Sequence, residues 1–281
     1  MSKTLLSIGH GFSARALAPL LLQNGWRIIG TTRSEEKAET LRSEGVDALV
    51  WPGSDLPIVD ASHLLTSVAP GDDGDPVLSE HDDVLRRAEH MEWVGYLSTT
   101  GVYGDHKGGW VDETTPLTPA TKRGKARVKA EAAWQDLGLP LHIFRLAGIY
   151  GPGRGPFAKV RQGTARRIIK PGQVFSRIHV EDIGAVLEAS IRQPNPGAVY
   201  NLCDDDPAPP EMVIEHAAEL LGLPVPPAIP FEVVDMTPMA RSFYAESKRV
   251  KNLRIKDELG VKLRYPNYRV GLAALLAAEH D

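Results

Sequence analysis

A glycine-rich turn near the amino end constrains the fold of this 281-residue chain most strongly. Residues 5–8 are an apolar run that predicts a buried strand, and residues 9–14 after it read Gly-His-Gly-Phe-Ser-Ala. In a Gly-x-Gly-x-x-Ala turn, the first glycine permits tight turning and the second lets a phosphate approach the backbone, while the small last residue lets a helix pack on the strand. The amino end of that helix offers free N–H groups and a positive dipole, so the turn predicts a dinucleotide site. The alternative is a plain strand–helix turn that uses glycine only for its backbone.

Strands and helices alternate along the first half of the chain. Apolar runs predict strands at residues 5–8, 27–30, 48–51, 63–68, 93–98 and 141–146. Helical spacing predicts helices at residues 13–23, after a cap at Ser34, and at 76–90 and 121–137. A further helix is expected at 180–191, a last strand at 199–202 and a helix at 210–221. This alternation predicts an α/β fold with a doubly wound parallel Rossmann sheet.

The pattern loosens after Gly151, where residues 151–156 are rich in glycine and proline. We therefore predict a Rossmann domain that binds the cofactor, formed by residues 1–150 and 178–202. Residues 151–177 and 203–281 are predicted to form a smaller carboxyl-terminal substrate lobe. Ligands of open α/β sheets lie at the carboxyl ends of the strands, so the cleft between the two parts is the expected site.

Composition narrows the function classes. The net charge of −4 gives no broad attraction for nucleic acid, and no apolar stretch approaches the ~20 residues that a membrane span needs. The apolar run at the amino end is too short for a secretory signal, and Cys203 is the single cysteine, so a cytoplasmic protein is expected. The nine histidines are scattered, so no metal is expected, and the acidic clusters at 72–75 and 204–206 are interpreted as solvated turns.

The end of the second strand indicates which cofactor is bound. Sites that prefer NAD place Asp or Glu there, but this chain has Thr31, Thr32 and Arg33. A guanidinium binds phosphate through two hydrogen bonds, so the sequence favours NADP, with NAD less favoured. The alternative is that Arg33 is only a solvated residue before the next helix.

Several ordered motifs resemble the extended short-chain dehydrogenase/reductase superfamily of the NAD-dependent epimerase/dehydratase type. The fifth strand ends in residues 96–104, Tyr-Leu-Ser-Thr-Thr-Gly-Val-Tyr-Gly. Residues 145–153, 178–183 and 199–202 are similar to later segments of that family. The resemblance covers nearly the whole chain, and the ordered set is more specific than any single motif.

The resemblance implies a catalytic segment, from which this chain departs. Thr99, with Thr100, stands where the family holds the reacting oxygen of its substrate. The family's Tyr-x-x-x-Lys pair falls on Arg123 and Arg127, counted back from Glu131, and arginine cannot do the acid–base work of tyrosine. Arg127 is expected to contact the ribose of the nicotinamide. Arg123 is expected to bind an anionic substrate, unless it belongs to a solvated basic helix.

Other groups are candidates for the missing acid. Tyr103 lies near Thr99 in sequence, and His106 follows in a loop. His179 is expected to cap the helix that follows it, and Cys203 to be a small packed residue. Arg241, Tyr244 and Arg249 are expected to be mainly structural, with ligand contact as the alternative. Cofactor contacts are expected from Gly9, Gly11, Phe12, Ser13, Thr32, Arg33, Pro52, Ser98, Arg127 and Leu146.

The sequence thus predicts an NAD(P)-dependent oxidoreductase or epimerase/dehydratase-like enzyme with an atypical active site. Its expected substrate is a polar small molecule, with anionic, sugar-nucleotide-like compounds as the expected class, and a homodimer is the expected assembly. The alternative is a non-catalytic NADP(H)-binding protein with a regulatory or redox-sensing role.

Overall fold

The computed structural model describes residues 3–279, apart from the side chain of Met239. Its strands are β1 Thr4–Ile8, β2 Arg27–Thr32, β3 Asp47–Val50, β4 His63–Thr66, β5 Trp93–Thr99, β6 Trp110–Val111, β7 Leu141–Leu146, β8 Gly148–Tyr150, β9 Arg167–Ile169, β10 Arg177–His179, β11 Val199–Leu202, β12 Ala228–Pro230 and β13 Arg249–Val250. Its helices are α1 Phe12–Leu22, α2 Glu35–Ser43, α3 Pro76–Arg86, α4 Lys122–Gln135, α5 Phe157–Arg161, α6 Val180–Arg192, α7 Pro210–Leu220, α8 Pro238–Phe243, α9 Leu253–Asp257 and α10 Tyr268–Ala277.

A seven-stranded parallel sheet forms the centre of the molecule, with strand order β3-β2-β1-β4-β5-β7-β11. The predicted doubly wound Rossmann sheet is confirmed. The chain builds outward from β1 in one direction through β2 and β3, and in the other from β4 onward. Ligands of such sheets bind where the strand order reverses, at the carboxyl ends of β1 and β4.

Apolar side chains cover both faces of the sheet. One core contains Leu17 and Leu21 of α1 together with Ile183 and Leu187 of α6, and the other contains Val77, Leu85 and Trp134. The helices α1 and α6 approach closely at Gly184, where a Cβ atom would lie 2.5 Å from the carbonyl oxygen of Ala16. This contact fixes α1, the helix that begins at the glycine turn, against α6.

Several predicted boundaries differ from the structure. The helix predicted for residues 76–90 ends at Arg86, and the strand predicted for 63–68 ends at Thr66. Ser34 occupies the cap position of α2, but its side chain makes no capping hydrogen bond. The short strands β6, β8, β9, β10, β12 and β13 were not predicted, because two or three residues are too few to show a period.

Residues after β7 form a third apolar core around Tyr150, Phe157, Val213, Tyr268 and Leu272. The paired strands β8 with β10 and β9 with β12 lie in the same part of the chain. The segment that contains α9 packs instead with the central sheet, through Ile255 and Leu259. The exact division of the chain into a Rossmann domain and a substrate lobe stays a prediction.

The interpretation of both acidic clusters as solvated turns was wrong for two of their members. Asp75 is buried and caps α3 by accepting hydrogen bonds from the N–H groups of Val77 and Leu78. Asp204 is only 1% exposed, and burial raises its pKa to about 8. Among residues 3–279, no helix is both long and apolar enough to cross a membrane.

Candidate functional site

The first glycine of the turn is required by the backbone and its neighbours. Gly9 has a φ angle of +76°, a conformation that side chains with a Cβ rarely adopt. Its N–H donates to Thr31 Oγ1 at 2.8 Å, and its carbonyl oxygen accepts from the hydroxyl of Ser67. A Cβ atom there would lie 3.1 Å from both Ser67 Oγ and a methyl carbon of Val68. Gly9 therefore joins the turn to the ends of β2 and β4.

The second glycine leaves the backbone accessible. A Cβ atom on Gly11 would meet no atom closer than the carbonyl oxygen of Gly9, at 3.8 Å. Helix α1 starts at the next residue, and no side chain caps it. The amides of the first turn, which include those of Phe12 and Ser13, have no intrahelical partner. This arrangement fits a phosphate group, because a bound anion would accept hydrogen bonds from these amides and meet the positive end of the helix dipole.

The residue between the two glycines is buried, which the sequence did not indicate. His10 is 4% exposed, and neither ring nitrogen has a hydrogen-bond partner among the described residues. Burial and, to a smaller extent, the positive charge of nearby Arg15 together lower its pKa to about 4. The imidazole packs over Gly30 of β2, where a Cβ atom would lie 3.0 Å from the His10 ring. His10 is therefore neutral near neutral pH and serves as packing beneath the turn.

The ends of β2 and β3 contribute the other residues predicted to select the cofactor. Thr32 is half-buried, and Arg33 is exposed and makes no hydrogen bond or ion pair with residues 3–279. Pro52 is exposed and follows Trp51 through a cis peptide bond. These side chains lie at the same edge of the sheet as the glycine turn, because the strands are parallel.

The end of β5 carries the predicted oxygen ligands. Thr99 and Thr100 are half-buried, and Thr99 Oγ1 accepts a hydrogen bond from the N–H of Gly101 at 3.1 Å. Leu146, at the end of neighbouring β7, is buried in the core. Ser98 is also buried, and its hydroxyl donates to the Glu131 carboxylate, so its side chain is directed to the interior. A contact of Ser98 with the cofactor stays a prediction that this geometry does not favour.

The two arginines on α4 differ in their surroundings. Arg127 NH1 donates to the hydroxyl of Tyr96 at 2.9 Å, to the carbonyl of Leu97 at 2.9 Å and to the carbonyl of Val68 at 3.3 Å. These bonds place Arg127 between the ends of β4 and β5. Arg123, one turn earlier, is exposed and has no hydrogen bond or ion pair with residues 3–279. Only Arg127 is therefore held at the sheet edge.

Comparison with known proteins shows relatives along the full chain, although no protein-family model matches it. A solved protein from Silicibacter pomeroyi, described as a conserved protein of unknown function, is 60% identical over 100% of both chains, with a TM-score of 0.96. Protein YeeZ of Escherichia coli is 28% identical and covers 94% of this chain and 97% of its own. A 3-diazoavenalumate denitrifying reductase from a Streptomyces species is 29% identical over 58% of this chain and 55% of its own.

Two further solved structures name a family. A putative NAD-dependent epimerase/dehydratase from Methylobacillus flagellatus is 26% identical, covers 100% of this chain and 99% of its own, and has a TM-score of 0.73. A human epimerase family protein, SDR39U1, solved with NADPH, is 19% identical, covers 98% and 99% of the two chains, and has a TM-score of 0.74. The chain is similar over its full length to epimerase/dehydratase-like short-chain dehydrogenase/reductases and shares their fold. The resemblance of its motifs to this superfamily is confirmed.

For this epimerase/dehydratase-like protein, the structure encloses one candidate acid completely. Tyr103 is 0% exposed, its hydroxyl donates to Asn201 Oδ1 at 2.7 Å, and it accepts from Arg145 at 3.0 Å. Burial raises its pKa. A hydroxyl bonded on both sides has no free path to a substrate, so this geometry does not support the prediction that Tyr103 is an acid.

The remaining predicted residues of this chain have structural contacts. His106 is half-buried with Nε2 3.1 Å from the carbonyl oxygen of Tyr103. His179 caps α6 by accepting from the N–H of Glu181 at 3.3 Å, and Cys203 is buried, so both predictions are confirmed. The three other predicted contacts are internal: Arg241 donates to the Val234 carbonyl, the Tyr244 ring packs on Phe175 and Phe231, and Arg249 donates to the Gly108 carbonyl.

Proposed function

We propose that this protein is an NADP(H)-dependent oxidoreductase or epimerase-like enzyme that acts on a polar small molecule. The observation that carries the proposal is the uncapped start of α1 beneath the open backbone of Gly11, at the point where the strand order reverses. Gly11, Phe12 and Ser13 would hold the diphosphate, and Arg127 would hold the ribose next to the nicotinamide. A nicotinamide supplies hydride transfer when it is bound.

The preference for NADP over NAD rests on Arg33. Its guanidinium lies at the end of β2, exposed and without an ion-pair partner in residues 3–279, where an NAD-preferring site would place a carboxylate. A 2′-phosphate would give this guanidinium two charge-assisted hydrogen bonds. The human neighbour was solved with NADPH, which supports this preference, whereas the Methylobacillus neighbour is named NAD-dependent.

The substrate side is proposed to use Thr99 and Thr100. Their half-buried hydroxyls lie at the end of β5, and one strand, β4, separates β5 from the strand that precedes the glycine turn. These hydroxyls would hold the substrate oxygen that gains or loses charge in the reaction. Arg123 is an exposed cation one turn before Arg127, and it would attract an anionic group of the substrate. The Streptomyces relative is a reductase by name, which supports transfer of hydride to the substrate.

A second function has its own supporting observation. The hydroxyl of Tyr103 is bonded on both sides, and arginine stands at the position predicted for the family's tyrosine. A protein without an available proton donor would bind NADP(H) and report its level to a partner. Sugar-nucleotide-like substrates and a homodimer stay predictions.

Titration of the purified protein with NADPH and NADH tests the cofactor. We expect NADPH to bind at least about tenfold more tightly, because of roughly 1.4 kcal/mol from the Arg33–phosphate contact. Arg33→Ala should remove most of that preference. The matched control is Arg27→Ala, because Arg27 is an exposed arginine at the other end of the same strand, where it is paired with Asp47. This variant should keep the preference for NADPH. Equal or tighter binding of NADH by the wild type would contradict the assignment.

Turnover decides between the enzyme and the regulatory protein. The protein is incubated with NADPH and a panel of sugar nucleotides, aldehydes and keto acids while absorbance of the reduced nicotinamide is followed. If a substrate is found, Thr99→Ala should lower its rate by roughly 10²-fold, as when one stabilising donor is lost from a reacting oxygen. Tight NADPH binding without turnover of any compound would favour the regulatory function.

A further inference from the structure

A buried ion pair lies directly beneath the end of β5. Glu131 of α4 and Arg145 of β7 have side chains only 4% and 6% exposed. Arg145 NH2 donates to Glu131 Oε2 at 2.7 Å, and Nε donates to Oε1 at 3.2 Å. This is a two-bond guanidinium–carboxylate contact, which fixes orientation as well as distance.

The pair is continuous with both ends of the segment that carries Thr99 and Thr100. Ser98, just before this segment, donates its hydroxyl to Glu131 Oε1. Tyr103, just after it, accepts from Arg145 NH1 at 3.0 Å and donates to Asn201 of β11. The ion pair therefore connects β5, the turn after it, α4, β7 and β11.

The Glu131–Arg145 ion pair also determines the position of Arg127. Glu131 follows Arg127 by one helical turn, so the two side chains share a face of α4. Fixing Glu131 against β7 sets the rotation of α4, and that rotation brings Arg127 to the carbonyl of Leu97 at 2.9 Å. The groups predicted to meet the nicotinamide half of the cofactor thus share one buried anchor.

Stability alone does not explain such a pair. Removing two charges from water costs several kcal/mol for each ion, and apolar residues of similar volume often replace a buried pair without loss of stability. What an apolar pair does not supply is a set of directed bonds to Ser98 and Tyr103. A directional role in the geometry of the site is therefore the better physical reason for these two residues.

We propose that Glu131 and Arg145 are positioning residues for the nicotinamide half of the site. They hold the end of β5 and Arg127 in one fixed arrangement and touch neither cofactor nor substrate. The proposal rests on the proposed function, since it assumes that a dinucleotide lies over these groups. It assigns to the pair no role in binding the adenosine half, which lies at β1 and β2.

Two ligands distinguish effects on the nicotinamide half of the site from effects on the adenosine half. NADPH reaches both, whereas adenosine 2′,5′-bisphosphate carries the adenosine and the 2′-phosphate without the nicotinamide. We expect Glu131→Gln to weaken NADPH binding about tenfold, and to change binding of the bisphosphate less than about twofold. Equal weakening of both ligands, or no change in either, would overturn the proposal.

A charge-free double variant separates positioning from the cost of an unpaired charge. Glu131→Leu with Arg145→Met removes both charges, so thermal stability should recover relative to Glu131→Gln. The selective loss of NADPH affinity should remain, because the double variant lacks the bonds to both Ser98 and Tyr103. A double variant with wild-type NADPH affinity would show that the pair only avoids a buried charge.

Ser190→Ala is the matched control. Ser190 accepts a buried hydrogen bond from Trp93 Nε1 at 3.1 Å, at the opposite end of β5. This variant should lose stability and keep the ratio of the two affinities, and a changed ratio would also count against the proposal. If the wild type binds neither ligand, the proposed function itself is overturned. If the wild type binds both ligands and the Glu131 and Arg145 variants have the same ratio of affinities as the wild type, only the positioning role is overturned.

Discussion

The glycine turn and the segment after β5 satisfy their hydrogen bonds in opposite ways. At the turn, the amides of the first turn of α1 have no side-chain cap. Beneath the end of β5, Ser98, Glu131, Arg145 and Tyr103 are all bonded to one another or to Asn201. The N–H groups of the first region are available to an anion, whereas the polar side chains of the second region already have partners. A variant at Gly11 should therefore affect ligand binding alone, whereas a variant in the support should affect both stability and geometry.

The largest expected effect comes from Gly11. Its φ of −101° and ψ of −156° suit residues with a Cβ, so Gly11→Val should fold with little loss of thermal stability. Its side chain would occupy the space that a diphosphate needs, and NADPH affinity should fall at least about 100-fold, or ~2.7 kcal/mol. Calorimetric titration and thermal unfolding measure the two quantities. Gly9→Val is the contrasting variant and should lose stability, because of its φ of +76°. Unchanged NADPH affinity in Gly11→Val would remove the turn from the site.

Asp204 differs from both regions, because it is a buried carboxyl group whose two oxygens do not both accept a hydrogen bond. One carboxylate oxygen accepts from the N–H of Asp206, and the other has no partner among the described residues. Because burial raises its pKa to about 8 in the folded protein, the unfolded chain loses this proton at lower pH. Stability should therefore fall as pH rises from about 4 towards 8.

The variant Asp204→Asn should remove this loss of stability at rising pH. At pH 7 we expect the free energy of unfolding to rise by about 1 kcal/mol or more. Chemical denaturation at several pH values gives the measurement. A variant less stable than the wild type at pH 8 would show that the charged form is accommodated.

A smaller effect is expected from a histidine far from either region. Burial lowers the pKa of His63 to about 4, so the folded protein resists its protonation and the unfolded chain takes up the proton near 6.5. The contribution of neutral His63 to the free energy of unfolding is fully present above about pH 6.5. It is lost as the pH decreases towards 4, by at most ~1.4 kcal/mol per pH unit for one proton.

His63→Phe should make that decline shallower. The ring stays between Trp26 and Trp93, and the titrating group is lost. Free energies of unfolding between pH 4.5 and 7 provide the slope, and an identical slope in both proteins would contradict the assignment. His10, His142 and His179 have similarly lowered pKa values and account for the decline that remains.

The smallest expected effect concerns Arg123. Its exposed side chain has no bonds to residues 3–279, so Arg123→Ala should change the free energy of unfolding by less than about 0.5 kcal/mol. NADPH affinity should change less than about twofold, whereas the KM of an anionic substrate should rise. Arg127→Ala, the matched change one turn later, should weaken NADPH binding because it removes bonds to Tyr96 and Leu97. Equal effects of the two changes would show that α4 contributes only its overall charge.

Sequence alone could predict which segments form the strands of the main sheet, because their apolar runs and the breakers between them are local signals. It could also predict the glycine turn, since the requirement at Gly9 is a backbone conformation. It could not show that His10 is buried or that Tyr103 is enclosed. Both depend on neighbours from other strands, such as Gly30 and Asn201. Thr31, whose hydroxyl accepts from Gly9, could be found only from the register of β1 and β2.

The sequence by itself determined the seven strands of the main sheet, their doubly wound arrangement with the helices between them, and the glycine turn at the edge of the sheet. These features depend on backbone conformation and on apolar residues close together along the chain. Only the tertiary structure decided which polar side chains are available to a ligand. Thr99 and Arg33 stay accessible, whereas Tyr103 and Glu131 are bonded to residues 98 and 14 positions away. The physical reason is that a side chain's hydrogen bonds depend on which distant strands the fold brings beside it.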